Sequence, residues 1–214
     1  MQLLFIQDIQ RDINNWQTSI TRKSYGIDWK TYLPSDISEA EVNNTKFLKG
    51  YLKKHFYQNG KISTFITWMN KSVDEEGIRN DLEILLDEKF PPNPISVYIT
   101  TFHRAPYDIQ QHFFYLIFRE KDRERSITTI YHELMHFLFH IYYWEQCQAL
   151  GLDEQQIHTV KESVTVLLNQ ILQKRGLPLD MGYPQHRVLR EKFKHFWEME
   201  PNLRLLIDKV SKFL

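Results

Sequence analysis

The sequence predicts an α+β fold, mostly helical, with a small twisted sheet next to a helix that carries His132-Glu133-Leu134-Met135-His136. Three observations lead there. Apolar residues recur at helical spacing over most of the chain. Two short runs rich in β-branched and aromatic residues stand between a proline-rich break and a long helical stretch. No internal repeat or low-complexity tract interrupts the pattern.

Residues 1–90 read as a mostly helical N-terminal region with loops. Val42, Phe47, Leu48, Tyr51 and Leu52 follow helical spacing, and Asn59-Gly60 ends that segment. Ser72-Val73-Asp74-Glu75 has the form of a capping box opening a helix through Leu82, Leu85 and Leu86. Pro91-Pro92-Asn93-Pro94 breaks the chain and marks the expected boundary of a second domain, residues 91–214.

Beyond that break, Ile95 to Phe102 and His112 to Phe118 read as strands. Residues 119–125 form a charged turn. Ser126 is placed to cap a helix running to about Gln148, and Asp153, after Gly151, to cap another to about Lys174. Arg175-Gly176-Leu177-Pro178 stops the latter. Residues 185–214 form amphipathic helices divided near Pro201.

Lys and Arg number 27, as do Asp and Glu, so the chain has no net charge to recruit a polyanion, and no nucleic-acid partner is expected. The apolar run near the N-terminus is broken by Gln7 and Asp8, unlike a signal peptide, and no run of apolar residues is long enough to span a bilayer. A cytoplasmic protein without membrane association is the expectation. The single cysteine, Cys147, excludes an internal disulfide and a four-cysteine zinc site. A metal would therefore be held by histidines and carboxylates.

His132 and His136 are four residues apart, one helical turn, so both imidazoles face one point. Glu133 beside them is placed to act as general base on a zinc-activated water. On a helical projection Ile127, Ile130, Leu134, Leu138 and Ile141 take one side. Thr129, His132, Glu133, His136 and His140 fall in a sector of about 100° on the other, with no Lys or Arg among them. A solvated helix face would carry such cations; this one suits the wall of a cleft.

A catalytic zinc takes a third protein ligand and keeps one position open. His140 lies about 12 Å along the axis from His132, too far for a straight helix to share one ion. It is read as a residue of the cleft or a support for a ligand. Glu162, in the next predicted helix, is the preferred third ligand, with His158 one turn earlier as its rival. A surface Glu162 paired with Lys161 or Arg175 is the non-functional alternative. For stabilising an oxyanion the candidates are His158, Tyr183 and His186, the tyrosine in the turn-like Met181-Gly182-Tyr183-Pro184.

His-Glu-x-x-His followed by a Glu on a later helix resembles the gluzincin branch of the zincin metallopeptidases. His132 to His140 is similar to the active-site helix of ImmA/IrrE-type peptidases, which also tend to carry a His four residues after the second ligand and paired leucines after the Glu, as Leu167-Leu168 here. The resemblance spans about residues 112–172. It departs at Met135, where that family commonly has Gly, and at Val166, where thermolysin-like gluzincins place the Asp that orients a His. It implies a zincin-like fold and a zinc metallopeptidase acting on a peptide or protein, with His132, His136 and Glu162 on Zn²⁺ and Glu133 as base. An exposed edge of either strand would take an extended substrate. The alternatives are an inactive zinc-binding sensor or scaffold of the same fold, and a helical interaction protein.

Overall fold

The computed structural model describes residues 1–24 and 26–214. In chain order its elements are β1 (Leu3–Ile6), α1 (Ile9–Ser19), β2 (Lys23–Ser24), β3 (Ile27–Asp28), α2 (Glu39–Asn43), α3 (Thr45–Leu52), α4 (Lys61–Ser72), α5 (Glu75–Leu86), β4 (Ile95–Thr100), β5 (Tyr107–Asp108) and β6 (Phe113–Ile117). Then follow α6 (Glu124–Tyr142), α7 (Trp144–Ala149), α8 (Glu154–Val164), α9 (Asn169–Lys174), α10 (Arg187–Met199) and α11 (Leu203–Val210). The fold is α+β and mostly helical, as expected.

The chain forms two compact units. One comprises residues 2–73 and 93–126; the other comprises Met1, 74–92 and 127–214. The chain thus does not divide once at residue 90. Strand pairing explains the difference. β1, in a region read as helical, runs parallel to β4 with Leu3 opposite Ile95 and Ile6 opposite Tyr98. Its backbone polar groups are satisfied only beside a strand that comes after the proline break.

The first unit contains the four-stranded sheet, in the order β1-β4-β6-β5. β4 and β6 are parallel, and the short β5 is antiparallel to β6. Both edges of β4 are therefore paired, and β5 occupies the outer edge of β6 at Phe113 and Phe114. The expected open edge on β4 does not exist. Residues Leu3, Ile95, Val97, Ile99, Phe114 and Leu116 are buried on one face. A separate cluster of Ile13, Trp16, Ile20, Trp29, Val42, Leu48, Leu52 and Phe102 anchors α1 and α3. Asp12 of α1 ties the helix to the end of β4. It accepts hydrogen bonds from Thr100 Oγ1 (2.8 Å), the Thr101 amide (2.9 Å), Thr101 Oγ1 (2.7 Å) and the Tyr57 hydroxyl (3.0 Å).

The second unit is helical and contains every residue of the predicted chemistry. α5 is capped by Asp74, whose side chain accepts from the Gly77 amide at 3.0 Å. Ser72 is the last residue of α4 and cannot be that cap. Gly77 is required there, because an added Cβ would meet the Asp74 carboxylate and Arg175 Nη2 at 2.0 and 2.6 Å. α6 begins two residues before Ser126, which is buried inside it. The helix expected to reach Gln148 breaks at Tyr143, whose backbone leaves helical geometry and whose hydroxyl donates to the Leu86 carbonyl at 2.6 Å. Asp153 caps α8 in a reciprocal box with Gln156. A 3₁₀ turn, Thr165–Leu168, separates α8 from α9 where one continuous helix was expected. α10 and α11 divide at Pro201, as predicted.

Candidate metal centre

On α6, His132, Glu133 and His136 share the face predicted for them, but that face is no open cleft wall. Glu133 and His136 are buried, and the His132 side chain retains 17% exposure. The opposite side is sealed by Ile130, Leu134 and Leu138, while Ile141, expected among them, is exposed. α8 brings Glu162 against the pair. Glu162 Oε2 lies 3.5 Å from His132 Nε2, and Oε1 lies 3.3 Å from His136 Nε2. Ligand atoms of the three residues lie within 4.8 Å of one another, so His132, His136 and Glu162 could hold a metal ion.

The spacing and type of these donors suit one shared metal ion. Two donors at about 2.0–2.1 Å from a tetrahedral ion stand about 3.3 Å apart, close to both separations found here. The Glu133 carboxylate beside the group has one oxygen, Oε2, that is buried and makes no hydrogen bond among the described residues. A buried acceptor left this way is costly unless a proton or a water-borne donor reaches it.

His132 is oriented from behind. Its Nδ1 lies 3.4 Å from Asp180 Oδ1, leaving Nε2 toward Glu162. Asp180 is fixed in turn. Its amide donates to Asn169 Oδ1 at 2.7 Å, and its carbonyl accepts from Asn169 Nδ2 and from Arg190 Nη2, the latter at 2.6 Å. The Arg190 guanidinium also donates to Thr165 Oγ1 at 2.7 Å and pairs with the Asp180 carboxylate at 3.3 Å. Gly182 makes room for it: a Cβ there would sit 2.6 Å from Arg190 Nη1, at a backbone φ of +61°. This is the carboxylate–histidine support that metal sites need. It comes from the loop after α9, not from position 166, and sequence reasoning missed it. Its one signal is that Asp180 is the only acidic residue between Arg175 and Arg187.

Lys161 was also missed. It is fully buried, with Nζ 2.7 Å from Glu162 Oε1. The pairing of Glu162 with Lys161 therefore exists, but inside the site instead of on the surface.

The electrostatics divide the histidines. Burial works against a charge on His132, but Asp180 and Glu162 outweigh it and hold its pKa well above the ordinary imidazole range. Burial, reinforced by the Lys161 charge, pushes His136 down to about 3. Burial raises Glu133 to about 7, against the pull of His132 and Lys161. Glu162 is held well below the usual carboxylate range: burial is overcome by His136, Lys161 and His132.

The other predicted residues are not among the three that could hold a metal ion. His140 stacks on Trp144, with ring centroids 4.4 Å apart, and lies outside the group that could hold a metal ion. His158, one turn before Glu162 on α8, packs edge-on against Trp144 at 5.2 Å and lies 3.8 Å from Glu154 Oε1. It belongs to that aromatic cluster, and burial lowers its pKa. Tyr183 precedes a 3₁₀ turn and meets the His186 ring edge-on at 6.0 Å. His186 is buried, and its pKa is lowered by burial, opposed by the charge of Glu162. No protein-family model matches the chain, and comparison with curated proteins and with solved structures returns no match.

Proposed function

We propose that the protein is a zinc-dependent metallopeptidase in which His132, His136 and Glu162 hold the ion and Glu133 is the general base. The observation that carries this reading is the convergence of His132 Nε2, His136 Nε2 and both Glu162 oxygens beside the buried Glu133 carboxylate. Two imidazoles and one carboxylate suit zinc better than magnesium or calcium. When bound, zinc supplies Lewis acidity, polarising a carbonyl and acidifying water.

The chain supplies the remainder. His136 is neutral and ready to donate a lone pair. Asp180 fixes the His132 ring so that Nδ1 keeps its proton, and Nε2 offers a lone pair once a metal displaces the proton there. Glu133, whose buried Oε2 makes no hydrogen bond among the described residues, accepts a proton from the attacking water at a carboxylate oxygen and returns it to the leaving amine. Lys161 donates to Glu162 Oε1 at 2.7 Å and holds that carboxylate in place.

The test pairs metal analysis with Glu133→Gln. The parent should carry about one zinc per chain and hydrolyse peptides, and the variant should keep the zinc and lose turnover. A parent that takes up no transition metal, or a variant with unchanged turnover, refutes the assignment. One observation favours a second reading, a zinc-holding sensor or scaffold: Glu133, His136 and Glu162 are all buried, which suits a closed site. Zinc binding with no hydrolysis in the parent selects it.

A further inference from the structure

A groove of about 530 Å³ runs along α3 in the first unit, lined by Asn44, Lys46, Phe47, Gly50, Tyr51, Lys54 and His55. We infer that it binds single-stranded nucleic acid, one base lodged against Phe47, Tyr51 and His55 while flanking phosphates rest on Lys46 and Lys54. Charge is the first argument. Residues 42–73 contain Lys46, Lys49, Lys53, Lys54, Lys61 and Lys71 and no acidic residue. The balanced net charge of the chain hides this local excess, because an acidic excess elsewhere offsets it. Lys46, Lys49, Lys53 and Lys54 make no ion pair among the described residues. Lys61, by contrast, is paired with Glu120.

The aromatic lining is the second argument. The Tyr51 and His55 rings lie 4.4 Å apart with a 31° tilt and present a continuous surface, and Phe47 remains 40% exposed. Bases stack on such surfaces without sequence preference, while lysines track the backbone. Directly after α3 the chain makes one π-helical turn, Lys53–Tyr57, a local widening frequent at functional sites. The nearby carboxylate of Asp36 is engaged by the Tyr51 hydroxyl at 3.3 Å and does not line the groove.

Gly50 is the third. It sits inside α3 without a left-handed backbone, and a Cβ added to it would meet nothing within 4 Å. Neither backbone geometry nor packing demands a glycine there, although glycine weakens a helix. Its effect is to keep the floor of the groove clear. A lipid surface is a poorer match. The apolar side of α3, Leu48 and Leu52, is consumed in the core, so no apolar face is left to enter a bilayer.

The test is fluorescence anisotropy of a labelled oligothymidylate of about 12 nucleotides across a salt series. The full-length protein should bind at low salt, with log affinity falling by about 0.7 per contacted phosphate per log unit of salt. Lys46→Gln with Lys54→Gln should flatten that slope by about 1.4, two phosphates' worth. Gly50→Leu, which fills the groove and favours the helix, and Phe47→Ala should each weaken binding about 5- to 150-fold with the slope kept. Glu133→Gln should bind like the parent, so this result is independent of the hydrolytic reading. Absence of binding, variants that bind like the parent, equal affinity for a duplex of the same length, or displacement of the oligonucleotide by phosphatidylserine vesicles would each overturn the inference.

Discussion

Asp180→Asn isolates the support behind His132. The substitution preserves shape and leaves the Asp180 backbone contacts to Asn169 and Arg190 in place. It removes the charge that lies 3.4 Å from His132 Nδ1. An amide can present either its oxygen or its NH₂ to the ring, so the tautomer that leaves Nε2 free for the metal is no longer enforced. Losing an outer partner of this kind costs about 10- to 100-fold in metal affinity, or about 1.4–2.7 kcal/mol. A second cost falls on the fold, since the buried Arg190 loses its only ion pair among the described residues. Unpairing a buried charge costs about 3–5 kcal/mol. That figure is an upper bound here, because Arg190 keeps its bonds to Thr165 Oγ1 and to the Asp180 carbonyl. The assay is zinc competition against a chromophoric chelator, on protein shown by circular dichroism to retain its helices. Asp180→Asn combined with Arg190→Met relieves the stranded charge and separates stability from affinity. Folded Asp180→Asn that binds zinc within twofold of the parent would refute the orienting role.

Glu162→Ala should weaken zinc binding far more than His140→Ala, since Glu162 belongs to the ligand group and His140 stacks on Trp144; the reverse order in the same competition assay contradicts the ligand set. His132 has a folded-state pKa above its unfolded value, so its contribution to the metal-free fold is full below about pH 6.5 and is lost as pH rises through the folded pKa. Zinc must displace that proton, so affinity should climb over the same window with proton release visible by calorimetry in buffers of different ionisation enthalpy; a flat affinity from pH 6.5 upward is the contrary result. Asp12→Ala should destabilise the protein by about 1–3 kcal/mol in urea titration, since it leaves the buried Thr100 donor and the half-buried Thr101 and Tyr57 donors without their acceptor, and a loss below about 0.5 kcal/mol would show that they find other partners.

The grouping of His132, His136 and Glu162 was legible because helical periodicity converts spacing into direction. His132 and His136 had to share a face, and Glu162 stood opposite the main apolar stripe of its own helix. The helix cap at Asp153 and the division at Pro201 were legible for a similar reason: each is a local rule. Contacts between distant segments left little trace. β1 is four residues long, and its partner lies beyond the proline break. Asp180 and Arg190 meet across a loop that has no periodicity to read. The break falls at Tyr143, whose hydroxyl reaches the Leu86 carbonyl, a contact no local pattern records. Lys161 looked like a solvated cation because lysine usually is one; only the fold shows it enclosed beside Glu162.

The interleaving of the two units matters during synthesis. All residues of the unit that contains the sheet have been made once residue 126 is added, so that unit can close while translation continues. α5 has by then been made, yet its companions begin at residue 127. Ile78, Leu82, Leu85 and Leu86, all buried in the finished molecule, must wait on the nascent chain for the helices that share their unit. Such a waiting apolar face is the kind of surface that chaperones hold and that aggregates when they do not. A fragment starting at residue 91 would carry the mirror image of the problem: the histidine helix without α5, and β4 without the strand that closes its edge.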